Sequence, residues 1–295
     1  MPGSPTTGLA APWRCPVCQA PLVLAETERR WACADGHSFD VAREGYANLL
    51  LGRRSGHQPG DSAEMVTSRR RFLASGAYAP LSAAVARAVA ETSPTVVLDV
   101  GCGEGSHTRL LDARTVLGVD VSKPAVAAAA KAHRSGWYAV ASASALPLPD
   151  ASVDAAVSVF GPVFAEELAR AVRPGGTVVT AHPGPAHLTA LRALVYEQAR
   201  PYEPKPPLQG GIDWFDEVSS VPLHFSVSVS DLAGLRDLFA MTPYRWHGPR
   251  DIERRLAEAA RGVFVTEAEV RVNSYRRRAH AAHVTALSEP GPRAR

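Results

Sequence analysis

Apolar and polar positions follow two different rhythms along this chain, and the change between them divides it. From about residue 94 onward, short apolar runs recur at regular spacing: Val96-Val97-Leu98, Thr115–Asp120, Trp137–Ser142, Val153–Phe160 and Thr177–His182. Compact apolar runs bounded by turn residues predict strands buried on both faces. Between them, apolar positions three and four apart predict helices at Ser106–Asp112, Lys123–His133, Phe164–Val172 and Ala186–Arg200. Strand and helix in alternation give an α/β fold, a doubly wound and mostly parallel sheet with helices on both faces. Upstream, Asp61 or Ser62 can cap a helix over Ala63–Ser75 that stops at Gly76, and a second helix follows Tyr78-Ala79-Pro80 to about Glu91. Beyond the break Pro201-Tyr202-Glu203-Pro204-Lys205-Pro206-Pro207, Leu223–Val229 alternates as a strand, Asp231–Phe239 as a helix, and Val263–Tyr275 supplies a last strand.

The first of these strands runs into Asp99-Val100-Gly101-Cys102-Gly103-Glu104-Gly105-Ser106. Alternating glycines let the backbone turn tightly and let a ligand lie directly on it, while the predicted helix beyond offers unpaired N–H groups to an anion. The spacing G-x-G-x-G differs from the dinucleotide fingerprint and lacks the Lys-Ser/Thr of a P-loop, so a short amino-acid carboxylate fits better than a pyrophosphate. A dehydrogenase, or an α/β domain with Gly-rich turns and no cofactor, is the competing interpretation. Asp120 closes the second strand 21 residues after Asp99 and can accept from ribose hydroxyls. Ser142 stands at the end of the third strand, where adenine recognition would lean on backbone groups and its hydroxyl.

Toward the amino terminus the strand runs shorten to Ala20–Leu24 and Arg29–Ala32, a ribbon too small to fold without a staple. Cys15-Pro16-Val17-Cys18 and Cys33-Ala34-Asp35-Gly36-His37 flank it. Three thiolates and an imidazole in two close pairs suit a structural zinc ion, with no position left for a reacting water. Disulfides are the alternative, disfavoured by the odd count. Cys102, inside the glycine loop, reads as a small packed residue rather than a nucleophile. The stretch Gly52–Gly60 has no periodicity; its Arg53 and Arg54 either meet phosphate or are simply solvated.

Composition adds little to this picture. A chain of 295 residues with 46% hydrophobic content can bury a full core, and the net charge of +3 does not by itself demand a nucleic acid. No apolar run is long enough to cross a bilayer and no signal peptide opens the chain, so a cytoplasmic protein without a membrane partner is expected.

Taken from Trp13 to about Arg278, the chain resembles the bacterial 23S rRNA guanine-N1-methyltransferases of the RlmA family, which include macrolide (tylosin) resistance enzymes. The resemblance is carried by the Cys15–His37 pattern, Phe39-Asp40, Glu44–Leu50, Gly60–Met65, Arg70, Phe72-Leu73, Gly76, the glycine loop, Asp120–Lys123, Ala165–Leu168, Pro183–Leu188 and Met241-Thr242-Pro243. It implies a class I, Rossmann-like S-adenosylmethionine-dependent methyltransferase fold with a small zinc-ribbon-like domain in front. By position it implies zinc on Cys15, Cys18, Cys33 and His37, and cofactor contacts from Tyr78, Gly103, Glu104 and His187. Gly101, Asp99, Asp120 and Ser142 join them from the loop and strand-tip argument, with His187 expected to donate to a carboxylate. The implied division is 12–51 for zinc and RNA recognition, 52–93 for linker and helices and 94–278 for methyl transfer, with 1–11 and 279–295 disordered. The implied substrate is the helix-35 hairpin of 23S rRNA near the peptide exit tunnel, not DNA; a homodimer is left open. Trp137, Trp214, Phe215, Tyr244 and Trp246 are candidates for stacking on an unstacked base, although core roles suit most of them. No residue is singled out as the proton acceptor, because Val159-Phe160-Gly161-Pro162 stands where amino-group methyltransferases carry an Asn/Asp-Pro-Pro-aromatic string. A small-molecule methyltransferase and a non-enzymatic sensing module are the alternatives, weakened respectively by the zinc pattern and by the intact glycine loop.

Overall fold

The fold is described from a computed structural model that covers residues 12–25, 29–52, 60–196, 207–208, 211 and 213–279. Arg53-Arg54, most of the proline-rich break and nearly all of both expected disordered ends therefore lie outside the described residues. Three short antiparallel strands, β1 (Val23–Ala25), β2 (Arg30–Ala32) and β3 (Ser38–Asp40), form the expected ribbon with one strand more. The rest of the structure is one eight-stranded sheet. It is built from β4 (Tyr46–Asn48), β5 (Val96–Val100), β6 (Thr115–Asp120), β7 (Trp137–Val140), β8 (Val153–Val159), β9 (Val172–Pro183), β10 (Phe215–Val229) and β11 (Phe264–Arg277). Their order across the sheet is β10-β11-β9-β8-β5-β6-β7-β4. The five pairings from β9 to β4 are parallel, and β11 and β10 close that side antiparallel. Helices α1 (Ala63–Ala74), α2 (Ala79–Ala90), α3 (Lys123–Ala132), α4 (Ala165–Ala171), α5 (Thr189–Val195), α6 (Leu232–Ala240) and α7 (Ile252–Ala259) complete the fold. No single helix among the described residues is long and apolar enough to cross a membrane.

Local chemistry starts the helices where the sequence predicts. Ser62 Oγ accepts from Met65 N–H at 3.3 Å and Ser122 Oγ from Ala125 N–H at 3.3 Å, each satisfying a first-turn donor that lacks an intrahelical partner. Pro80 and Pro124 sit in first turns, where the missing N–H costs nothing.

Two expectations are corrected. The helix expected at Ser106–Asp112 is only a 3-10 turn, Thr108–Leu110. Thr108 donates its hydroxyl to the buried Asp99 carboxylate at 2.6 Å, and Leu111 turns extended to bury its side chain, so the chain leaves helical geometry after one turn. The helix expected at Ala186–Arg200 is confined to Thr189–Val195 within the described residues, because Leu188 at φ +52° breaks the backbone ahead of it. Tyr46–Asn48, a strand the sequence reading does not list, pairs parallel with β7 as an edge strand of the large sheet.

That strand ties the two parts together, and packing continues the tie. Trp13, Leu22 and Trp31 are buried in one apolar cluster with Leu98, Leu117, Leu146 and Leu148 of the sheet side. Trp31 meets Trp137 edge to face at 5.6 Å, Arg14 N–H donates to the Pro147 carbonyl at 2.8 Å, and the Arg14 and Arg170 guanidiniums share Asp150.

Candidate functional site

The sheet reverses its winding between β5 and β8, and the carboxyl ends of these strands open into a cavity of about 740 Å³. Open parallel sheets bind ligands at this point because the connections there depart to opposite faces and leave a crevice. The cavity floor is the glycine loop after β5. Gly101, Gly103 and Gly105 have φ of +74°, +55° and +85°, a conformation that side chains resist. A Cβ on Gly103 would meet nothing nearer than Arg69 Nη1 at 3.8 Å, so the backbone there faces open space.

Asp120 closes β6 beside this loop. Its carboxylate accepts from Gly103 N–H at 3.0 Å and from Ser122 N–H at 2.8 Å. Burial pushes its pKa up, and those two N–H bonds oppose the shift. The acid expected to bind ribose therefore also fixes the loop. Glu104 is buried, and its Oε1 has no protein partner. An orphan carboxylate oxygen next to an open backbone cradle matches a ligand that brings its own donors, as an amino acid's ammonium does.

Tyr78 precedes α2 and is 3% exposed, its ring in edge contact with Phe72, Phe160, His187 and Phe225. His187 Nδ1 lies 2.9 Å from the Glu269 carbonyl. A carbonyl only accepts, so Nδ1 carries the proton and Nε2 is left as an acceptor. Burial holds the pKa down at about 4, keeping the ring neutral near pH 7. The expectation that His187 donates to a carboxylate is therefore corrected.

Of the eight expected cofactor residues, Tyr78, Gly101, Gly103, Glu104, Asp120 and His187 line this cavity. Asp99 and Ser142 do not. Asp99 lies beneath the loop, 2% exposed, bound to Thr108 and with its pKa raised to about 7 by burial. Ser142 Oγ is engaged with Ser144 Oγ at 2.8 Å. Of the aromatic candidates, Tyr244 lines the cavity, Phe215 is core, Trp137 packs on Trp31, Trp214 is packed against the core, and Trp246 is exposed beside Arg245. Cys102 is buried and its thiol pKa raised by burial, which leaves no reactive thiolate.

Several lining residues escape a sequence reading. Asp61 and Arg69 form an ion pair, and Arg69 Nη2 also donates to the Met241 carbonyl at 3.1 Å. Arg69 lies on α1 while Asp61 precedes its cap Ser62, and the Asp61 carbonyl is held by the Ser122 hydroxyl at 2.7 Å, so the pairing depends on a contact 61 residues away. Phe160 and His182 come from the ends of β8 and β9; the sequence marks Phe160 only as part of Val159–Pro162, without a role, and nothing local marks His182.

At the other end of the chain the side chains of Cys15, Cys18, Cys33 and His37 converge, their ligand atoms all within 4.8 Å of one another. Cys18 Sγ and Cys33 Sγ are 3.6 Å apart, and Cys33 Sγ is 3.4 Å from His37 Nδ1. Two thiolates on one tetrahedral zinc at about 2.3 Å stand about 3.8 Å apart, so the cluster fits the ion. All four cysteines of the chain are free, which removes the disulfide alternative.

A doubly wound sheet with a glycine cradle, a strand-tip acid and a Cys3His cluster in front defines a zinc-ribbon methyltransferase dependent on S-adenosylmethionine. Residues 13–51 match the family model described as "RlmA, N-terminal", and residues 98–180 match one described as "Methyltransferase domain". The chain is 38% identical over 257 residues, 83% of its length and 90% of the relative's, to the 23S rRNA (guanine(748)-N(1))-methyltransferase of Streptomyces fradiae. It is 42% identical over 201 residues, 60% of its length and 68% of the relative's, to a Micromonospora griseorubida protein provisionally named 23S rRNA (guanine-N(1)-)-methyltransferase. The chain belongs to the RlmA family of 23S rRNA (guanine-N1)-methyltransferases.

Proposed function

We propose that this chain transfers a methyl group from S-adenosylmethionine to N1 of a guanine in the helix-35 hairpin of 23S rRNA, acting in the cytoplasm on RNA not yet sealed into a ribosome. The observation that carries this reading is the packing of a Cys3His ribbon against the sheet that holds the cofactor cavity, in a chain of this family. A small substrate needs no such module; a structured RNA must be presented. In this division residues 12–51 present the hairpin, 52–93 connect, and 94–278 hold the cofactor.

S-adenosylmethionine supplies an electrophilic methyl on a sulfonium. The residues placed around it have separate tasks. Asp120 takes the ribose hydroxyls. Gly101, Gly103 and Glu104 receive the amino-acid portion, with Arg69 balancing its carboxylate. Tyr78 packs against the cofactor, and His187 presents Nε2 as an acceptor. As the guanine N1–methyl bond forms, the sulfonium C–S bond breaks to leave S-adenosylhomocysteine and the N1 proton passes to solvent, so in-line positioning in the cavity contributes much of the rate.

The test uses rRNA from a strain lacking the gene, incubated with the protein and S-adenosylmethionine. An N1-methyl blocks Watson–Crick pairing, so primer extension should stop at one guanine in the hairpin. No stop, or a stop elsewhere in the rRNA, overturns the reading. Expression in a macrolide-sensitive host should also raise tolerance to tylosin-type drugs, since the base borders the exit tunnel.

A further inference from the structure

We propose that Phe160 is the platform on which the target guanine stacks, a substrate-positioning residue supplied by the end of β8; this rests on the RNA reading above. Four observations carry it.

Phe160 has φ +53°, the left-handed region that residues other than glycine enter only at a cost in free energy. Its own preference does not put it there. The surroundings do: Phe160 N–H donates to the Ala181 carbonyl at 2.8 Å, which fixes the strand end. The next residue, Gly161, is pressed so close to the sheet that a Cβ would fall 2.8 Å from Ser158 Oγ and 3.0 Å from the Val100 carbonyl. With the backbone held down after β8, the Phe160 side chain is turned up into the cavity.

The ring is also left uncovered. Phe160 is 43% exposed although it lines the cavity, while neighbouring Tyr78 and His187 are buried. Its ring lies 5.4 Å from His187 at 48° and 6.3 Å from Tyr78 at 79°, so these two rings support it from the side. A strained backbone that exposes an apolar ring destabilises the free protein twice over, and a planar ligand that covers the ring removes part of that cost.

Position in the sheet identifies the ligand. The strand order β8-β5-β6 places the ribose acid Asp120 on one side of β5 and Phe160 on the other. An adenosine whose ribose is held by Asp120 would lie away from Phe160, leaving the part of the cavity beside the neighbouring ends of β8 and β9, with Phe160 and His182, for the methyl acceptor. That acceptor is a base whose N1 edge is inaccessible within a paired stem. Taking it out of the stack forfeits its stacking energy, and an exposed aromatic face returns it without reading the edge that must react.

The experiment compares full-length wild type with Phe160→Leu, Phe160→Tyr and Phe160→Gly on the hairpin RNA. It also follows the fluorescence of a hairpin carrying 2-aminopurine at the target position, and S-adenosylmethionine binding by calorimetry. Loss of stacking should lower kcat/KM for RNA roughly ten- to a hundredfold in the Leu and Gly variants, while Tyr stays within a few-fold of wild type. The 2-aminopurine signal, which rises as the base leaves the RNA stack, should rise further with Leu and Gly than with wild type, where the Phe160 ring covers the base. Cofactor affinity should stay within about twofold throughout. Phe160→Gly suits the left-handed backbone, so its Tm should not fall, which separates loss of stacking from loss of fold. A Leu variant that methylates like wild type, or one whose cofactor affinity falls along with activity, overturns the proposal. A wild type that binds S-adenosylmethionine but leaves the hairpin unmodified overturns the functional reading itself.

Discussion

At the scale of single residues, the cavity is built from side chains that do two jobs. Asp120 accepts two backbone N–H groups that shape the glycine loop and retains lone pairs toward the cavity. Asp120→Ala should therefore weaken S-adenosylmethionine binding by about 1–3 kcal/mol, the range for losing a charged acceptor. Calorimetry showing unchanged affinity would remove Asp120 from the site. His187 shows how burial sets a protonation state. Its ring pKa falls from 6.5 to about 4, so the folded protein binds fewer protons there than the unfolded chain between these pH values. Stability from this source is complete above about pH 6.5 and is lost as the pH drops through about 4, by about 3 kcal/mol at most. Chemical denaturation of the apoprotein at pH 7 and pH 4.5 should show that acid loss in wild type and a smaller one in His187→Gln. Equal losses would mean that the ring is solvated. Asp120 was legible in the sequence because strand-tip position follows from local pattern. The tautomer of His187 was not, because its partner Glu269 lies 82 residues away.

At the scale of elements, the ribbon illustrates how much a short sequence pattern specifies. Strands of three residues cannot stabilise themselves, and Cys15, Cys18, Cys33 and His37 supply the cross-link that they lack. Elemental analysis should give about one zinc per chain. Cys18→Ser should lose or loosen the ion and lower the Tm, with chelator having little further effect on the variant. A zinc-free wild type as stable as the variant would remove the metal from the account. Other elements departed from the pattern for identifiable reasons. The turn Thr108–Leu110 replaces a helix because a buried carboxylate captures the Thr108 hydroxyl. Strand β10 begins at Phe215, well ahead of the alternation at Leu223–Val229, because β11 pairs with it along that length, a partnership that no local window contains.

For the whole molecule, the ribbon and the methyl-transfer part share one apolar cluster through Trp13, Leu22 and Trp31, and the strand Tyr46–Asn48 that follows the ribbon is an edge of the large sheet. They should unfold together. Calorimetry should show a single thermal transition that S-adenosylmethionine raises and zinc removal lowers; two transitions, each answering to only one ligand, would show independent domains. The sequence by itself determined the alternating βα core, the glycine cradle, the strand-tip acid and the metal ligands, since each follows from spacing within a few residues and from side-chain chemistry. Only the tertiary structure decided that Asp99 and Ser142 stand outside the cavity, that Tyr46–Asn48 forms the edge strand of the large sheet, and that Asp61, Arg69 and Phe160 face the cofactor loop or its mouth. The reason is physical: these placements depend on which distant segments compete for the same buried surface and backbone partners, and that competition is resolved only when the whole sheet closes.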